Sequence, residues 1–182
     1  MDDQSSFLKD IAERLGRNGI PYMLTGSVAM ALYAEPRMTR DIDIVVDLAA
    51  GDAERVAALF EPDCYIDRDD AADAIRRRGM FNVIHRESLV KVDFIVRKND
   101  PYREMEFRRR REIDIEGTAV TVVSPEDLIL SKLHWSKEAE SQLQLRDAVS
   151  IARGVRTLDW TYILDWARIL GVLELVERVR KA

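Results

Sequence analysis

The sequence predicts an α/β fold: a mixed β-sheet flanked by helices, with a helical layer at its C-terminal end. Three observations carry this expectation. Short apolar runs of period two are interspersed with helix-like segments through the first two-thirds of the chain. Two pairs of β-rich runs, each joined by a brief turn, read as hairpins. From Ser124 onward only three–four spacing remains, broken at Gly154 and Gly171. The expected division is a core over residues 1–123 and C-terminal helices over 124–182, packed on it as one compact unit.

Each element follows from its residues. Residues 5 to 18 form an amphipathic helix, capped at Ser5 or Ser6, with Phe7, Ile11 and Leu15 on one face; Gly16 and Asn18-Gly19 end it. Pro21 opens a strand, Tyr22-Met23-Leu24, that stops at Gly26. Ser27 is a candidate cap for a helix whose apolar face runs from Val28 to Tyr33. After the loop Arg37-Met38-Thr39-Arg40 comes a second strand, in which Ile42, Ile44 and Val46 face one way and Asp41, Asp43 and Val45 the other. A helix over Asp52 to Phe60 is broken by Glu61-Pro62-Asp63, and another over Asp69 to Arg78 stops at Gly79. Met80 to His85 and Leu89 to Val96 make the first hairpin, with Asp93 on the face opposite Val92 and Phe94. Asp100-Pro101 starts a short helix through Phe107, and the second hairpin pairs Ile113–Ile115 with Ala119–Val123 through Gly117. Ser124-Pro125-Glu126-Asp127 is a helix start: a cap, Pro at the first helical position, and acids in the first turn. Leu128, Ile129 and Leu133 are its buried side; Leu143–Ile151, Trp160–Leu170 and Val172–Val179 complete the helical layer.

Composition bounds the function. The net charge of −5 argues against wholesale coating of nucleic acid. One cysteine, Cys64, excludes internal disulfides and cysteine-based zinc sites. No apolar run approaches a membrane span, and the N-terminus lacks the basic start of a signal peptide, so a cytoplasmic location is expected. His85 and His134 lack metal-ligand spacing, and no Ser-His-Asp order appears. The runs Arg76–Arg78 and Arg108–Arg111 read as solvated faces, and would hold an RNA backbone only by converging on a cleft.

The stretch from Tyr22 to Asp47 carries the chemistry. Asp41 and Asp43 point the same way, roughly 7 Å apart along the strand. Two such carboxylates repel unless a cation lies between them, and Mg²⁺ is held by one or two carboxylates with substrate phosphates. The Gly26-Ser27 turn, opening a helix, offers N–H groups to a phosphate. A phosphate cradle and a metal-binding pair in one strand–helix–strand unit imply phosphoryl or nucleotidyl transfer.

Gly26-Ser27, thirteen residues, then Asp41-Ile42-Asp43-Ile44 resembles the signature of the DNA polymerase beta–like nucleotidyltransferase superfamily. The loop Arg37-x-Thr39-x-Asp41 is similar to that of bacterial abortive-infection toxin-type enzymes and of aminoglycoside and lincosamide nucleotidyltransferases. The resemblance spans about residues 20 to 135. It implies that Asp93 completes a carboxylate triad, as third metal ligand or as base. It implies that Lys132, on a helix after the Asp93 strand, reaches the triphosphate tail, with Gly26, Ser27 and Arg40 also on the nucleotide and Arg37 a further nearby cation. The expected reaction moves a nucleoside monophosphate from a triphosphate such as ATP to an acceptor, with two Mg²⁺ ions. The acceptor stays open between tRNA, a protein and a small hydroxylated molecule, and a toxin-type enzyme implies a cognate protein partner. The rival expectation is a catalytically silent nucleotide-binding module acting through a protein partner.

Overall fold

In chain order the elements are α1 (Asp3–Arg17), β1 (Tyr22–Thr25), α2 (Gly26–Met30), β2 (Asp41–Val46), α3 (Ala53–Phe60), β3 (Cys64–Ile66), α4 (Arg68–Arg77), β4 (Met80–His85), β5 (Lys91–Val96), α5 (Pro101–Arg108), β6 (Arg111–Ile115), β7 (Thr118–Val122), α6 (Pro125–Ala139), α7 (Gln142–Gly154), α8 (Trp160–Leu170) and α9 (Leu173–Lys181). The computed structural model describes residues 3–139 and 141–182. Seven strands form one mixed sheet in the order β3-β4-β5-β2-β1-β7-β6. β2 runs parallel to β5, and β1 parallel to β7; the other neighbours are antiparallel.

The apolar sets of the strands make the core. Ile42, Ile44 and Val46 are buried, and across the ladder Val92, Phe94 and Val96 are buried beside them. Phe81 stacks on its register partner Phe94, and Phe60 of α3 closes on the same ring, so α3 lies on this face. α1 is tied to the same side by Arg14, which pairs with Asp63, and by Phe7, whose ring sits 4.8 Å from His85. His85 also bonds Ser88 inside the β4–β5 turn, a structural use of that ring.

The helical layer is built on α6. Leu128, Ile129, Leu130, Ser131, Lys132 and Leu133 are all buried, so this helix is enclosed on every side over that stretch. α7, α8 and α9 pack around it. Gly154, ending α7, is required by a close approach: a Cβ there would overlap the Tyr33 carbonyl. Among the described residues no helix is long and apolar enough to cross a membrane.

Several local expectations are corrected. α1 begins at Asp3, so Ser5 and Ser6 lie inside it and cap nothing. Ser27 is not a cap: α2 starts at Gly26 after Thr25, and ends at Met30 rather than Tyr33. α4 is capped by Asp67, which accepts from the N–H groups of Asp69 and Asp70, and its left-handed terminal residue is Arg78 rather than Gly79. β3 has no signal in a three-residue segment, too short for alternation to register.

Candidate functional site

The site forms where β1 ends and β2 begins, at the middle of the sheet. Alternation turns Asp41 and Asp43 away from the buried isoleucines of β2. The parallel register of β5 then places Lys91 opposite Asp41 and Asp93 opposite Asp43. On the other side of β2, Thr25 is the partner of Asp43, which brings the following Gly26 over that carboxylate. Gly26 has φ 68°, and a Cβ at this position would overlap the Asp43 carboxylate. Glycine is therefore demanded twice, by backbone conformation and by the acid beneath it.

Electrostatics single out Asp43. Burial first, then its neighbours Asp93 and Asp41, push its carboxyl up from 3.8 to about 6, against the opposing pull of Lys132 and Lys91. No donor among the described residues lies within hydrogen-bonding distance of it. Asp93, by contrast, is held. Asn82 of β4 donates its amide to Asp93 Oδ1, and the Lys91 ammonium lies 3.1 Å from the same oxygen. Lys91 also reaches Asp41 Oδ2 at 3.4 Å, so it spans two of the three acids. Its alternation with Asp93 places it on this face, but its contact with Asp41 follows from the pairing of β2 with β5.

A second polar group lies beside the first. Asp147 of α7 is 3% exposed and accepts from Lys132 Nζ at 2.8 Å and from Arg37 Nε at 3.2 Å. Gln144 joins Lys132, and Arg37 donates a further hydrogen bond to the buried Ser27 hydroxyl. Burial lowers the Lys132 ammonium's pKa, and Asp147 works against that shift. Lys132 thus ends on a carboxylate inside the protein. The nearby loop cation that the fold draws in is Arg37; Arg40 is exposed. Asp147, which no local sequence pattern singles out, is the hub joining the loop before β2 to the helical layer.

The arginine runs do not converge on the site. Arg76 and Arg77 pair with Asp73. Arg109 pairs with Asp127 and Glu126, and Arg111 with Glu126. Among the described residues no three His, Cys, Asp or Glu side chains are gathered as a ready-made metal set. The donor chemistry nonetheless fits Mg²⁺: Asp41, Asp43 and Asp93 present carboxylate oxygen, and Asp43 is a carboxylate without a donor, crowded by like charge. Lys91 supplies the cationic contact to the other two acids.

Comparison with known proteins agrees with this arrangement. A family model described as an uncharacterised nucleotidyltransferase matches residues 3–181. Among solved structures, an antigenic nucleotidyltransferase-like protein from Paracoccidioides brasiliensis superposes with a TM-score of 0.64 at 16% identity, over 97% of this chain and 91% of that one. The lincomycin-bound lincosamide antibiotic adenylyltransferase LnuA gives 0.58 at 14% identity, over 85% of this chain and 99% of its own. The antibiotic-resistance factor ANT(2'')-Ia gives 0.59 at 13% identity, over 98% and 92%. At these identities the likeness is one of fold. No curated protein matches the sequence.

Proposed function

The chain belongs to the uncharacterised nucleotidyltransferase family, and from that premise we propose that it moves a nucleoside monophosphate from a nucleoside triphosphate to a hydroxyl-bearing acceptor. The observation that carries this reading is the register of β2 and β5, with Asp43 beside Asp93 beneath the Gly26 turn. Asp41, Asp43 and Asp93 would hold Mg²⁺, which screens the charge of the phosphates and polarises them towards attack. Lys132 and Arg37, fixed on Asp147, bind the negative tail of the triphosphate as preorganised cations. Ser27 keeps Arg37 in place through its hydroxyl.

The chemistry balances simply. The acceptor oxygen forms a bond to the α-phosphorus, and the bond from that phosphorus to the β-bridging oxygen breaks. Pyrophosphate leaves with the electron pair, and the hydroxyl proton passes to Asp93, whose carboxylate Asn82 orients. The internal pairing of the arginine runs favours a small hydroxylated acceptor over an RNA backbone, as does the net charge of −5. LnuA, whose structure contains lincomycin, shares the fold and is consistent with that acceptor class. The toxin-type resemblance extends the reading to growth arrest on expression, relieved by a cognate partner.

The test is direct. Incubation with Mg²⁺, each α-labelled triphosphate in turn and a cell lysate should move label onto a species resistant to ribonuclease and protease. Label removed by ribonuclease would replace the small-molecule acceptor with RNA; absence of label with every triphosphate would defeat the transfer reading. One observation favours a second reading, a silent nucleotide-binding module: Lys91 already bridges Asp41 and Asp93. In that case triphosphates raise the melting temperature but no label moves.

A further inference from the structure

Lys91 belongs to neither the glycine turn nor the carboxylate triad, yet it lies among the acids. It stands on β5, a strand paired on both sides, with β2 and with β4, so its attachment is rigid. Its ammonium contacts Asp41 at 3.4 Å and Asp93 at 3.1 Å, while Asp43 has no donor among the described residues. Asp93 is engaged through both oxygens, Oδ1 by Asn82 and Lys91 and Oδ2 by Lys91. A lysine ammonium is a compact point charge, the side chain best suited to stand where a small cation would. With Lys91 as their only ion-pair partner among the described residues, the three carboxylates keep two negative charges, the charge of one divalent cation; Lys132, the other cation acting on Asp43, is paired with Asp147.

We propose that Lys91 substitutes for one of the two divalent cations expected of such a site: a single divalent cation enters with the triphosphate and is held chiefly by Asp43, with Asp41 and Asp93 shared between it and the Lys91 ammonium. This rests on the nucleotidyl-transfer reading of the site. It assigns Lys91 a positioning role that no charge-neutral side chain fills.

Counting metal tests it without turnover. Mn²⁺ bound per chain is measured by electron paramagnetic resonance, with a non-hydrolysable α,β-methylene triphosphate present. Wild type is expected to bind one Mn²⁺, Lys91→Met two, and Lys91→Arg one, because charge is retained. Lys91→Gln replaces the methionine variant if circular dichroism shows the latter unfolded. Two Mn²⁺ on wild type, or one on both neutral variants, overturns the inference while leaving nucleotide binding intact. No Mn²⁺ or triphosphate bound by wild type overturns this inference together with the transfer reading.

Discussion

Two groups of carboxylates in this protein are treated in opposite ways. Between α5, α6 and α8, Glu106, Glu126 and Asp127 are almost wholly enclosed. Each is answered. Arg103 and the Ser131 hydroxyl donate to Glu106, Arg109 and the Tyr162 hydroxyl to Asp127, and Arg109, Arg111 and the Asp159 N–H to Glu126. At the sheet centre, Asp41, Asp43 and Asp93 are less buried as a set, yet Lys91 alone pairs with two of them and Asp43 accepts no hydrogen bond among the described residues. A buried charge must be paired and hydrogen-bonded to be tolerated. The first group meets that condition within the chain and serves the fold. The second leaves charge for something outside the chain, and that imbalance is what supports the proposed site there.

The contrast makes four expectations, the largest effect first. Asp43→Asn keeps the shape of the side chain and removes the charge proposed to bind metal. Label transfer should fall by a factor of about a thousand or more, near the upper end for losing one preorganised electrostatic contact. A purified variant transferring at the wild-type rate would remove Asp43 from the site. Asp127→Ala, in the answered group, should do the reverse. It leaves Arg109 and the Tyr162 hydroxyl short of a partner and should cost about 3–5 kcal/mol of stability in urea melts. Its folded fraction should still transfer label; loss of turnover without loss of stability would erase the distinction between the two groups.

The third expectation is a gain. Asp43's carboxyl is raised from 3.8 to about 6 in the fold. The unfolded chain therefore gives up this proton first, and stability is lost as pH rises from about 4 through about 6. Asp43→Asn has no proton to lose. In chelator at pH 7.5 it should be more stable than wild type by on the order of 2–3 kcal/mol, and about equal to it near pH 4. Equal stability of the two proteins across that range would show that the crowding of Asp43 is already relieved. The smallest effect concerns Lys132, whose ammonium is shared with Asp147. Lys132→Ala should weaken triphosphate binding about tenfold by calorimetry, since Arg37 remains on Asp147 as the second cation. Lys132→Arg should recover part of this, its fork geometry fitting the ammonium's place poorly. Unchanged affinity would confine Lys132 to holding α6 against α7.

Much of this protein was legible in local sequence. The alternation in Asp41-Ile42-Asp43-Ile44 states which face each acid takes, because side chains along a strand alternate whatever the strand pairs with. The same rule set Asp93 opposite Phe94, and Ser124-Pro125 announced α6 through capping chemistry contained within one turn. Gly26 was recognisable as a turn, though the acid that forbids a side chain there was not.

What escaped a linear reading depends on residues distant along the chain. Lys91 reaches Asp41 only because β5 lies parallel to β2 in one register, and a slip by one residue would send it to the other face. Asp147 becomes the seat of Lys132 and Arg37 only when α7 packs beside α6 near the loop before β2, across separations of 15 and 110 residues. The run Arg108–Arg111 looks free for nucleic acid until folding brings Glu126 and Asp127 against Arg109 and Arg111. Periodicity and capping act over a few neighbours and are written in the order of residues. The balance of charge in a buried site is set by which distant side chains the packing brings within a few ångströms, and no window along the chain contains it.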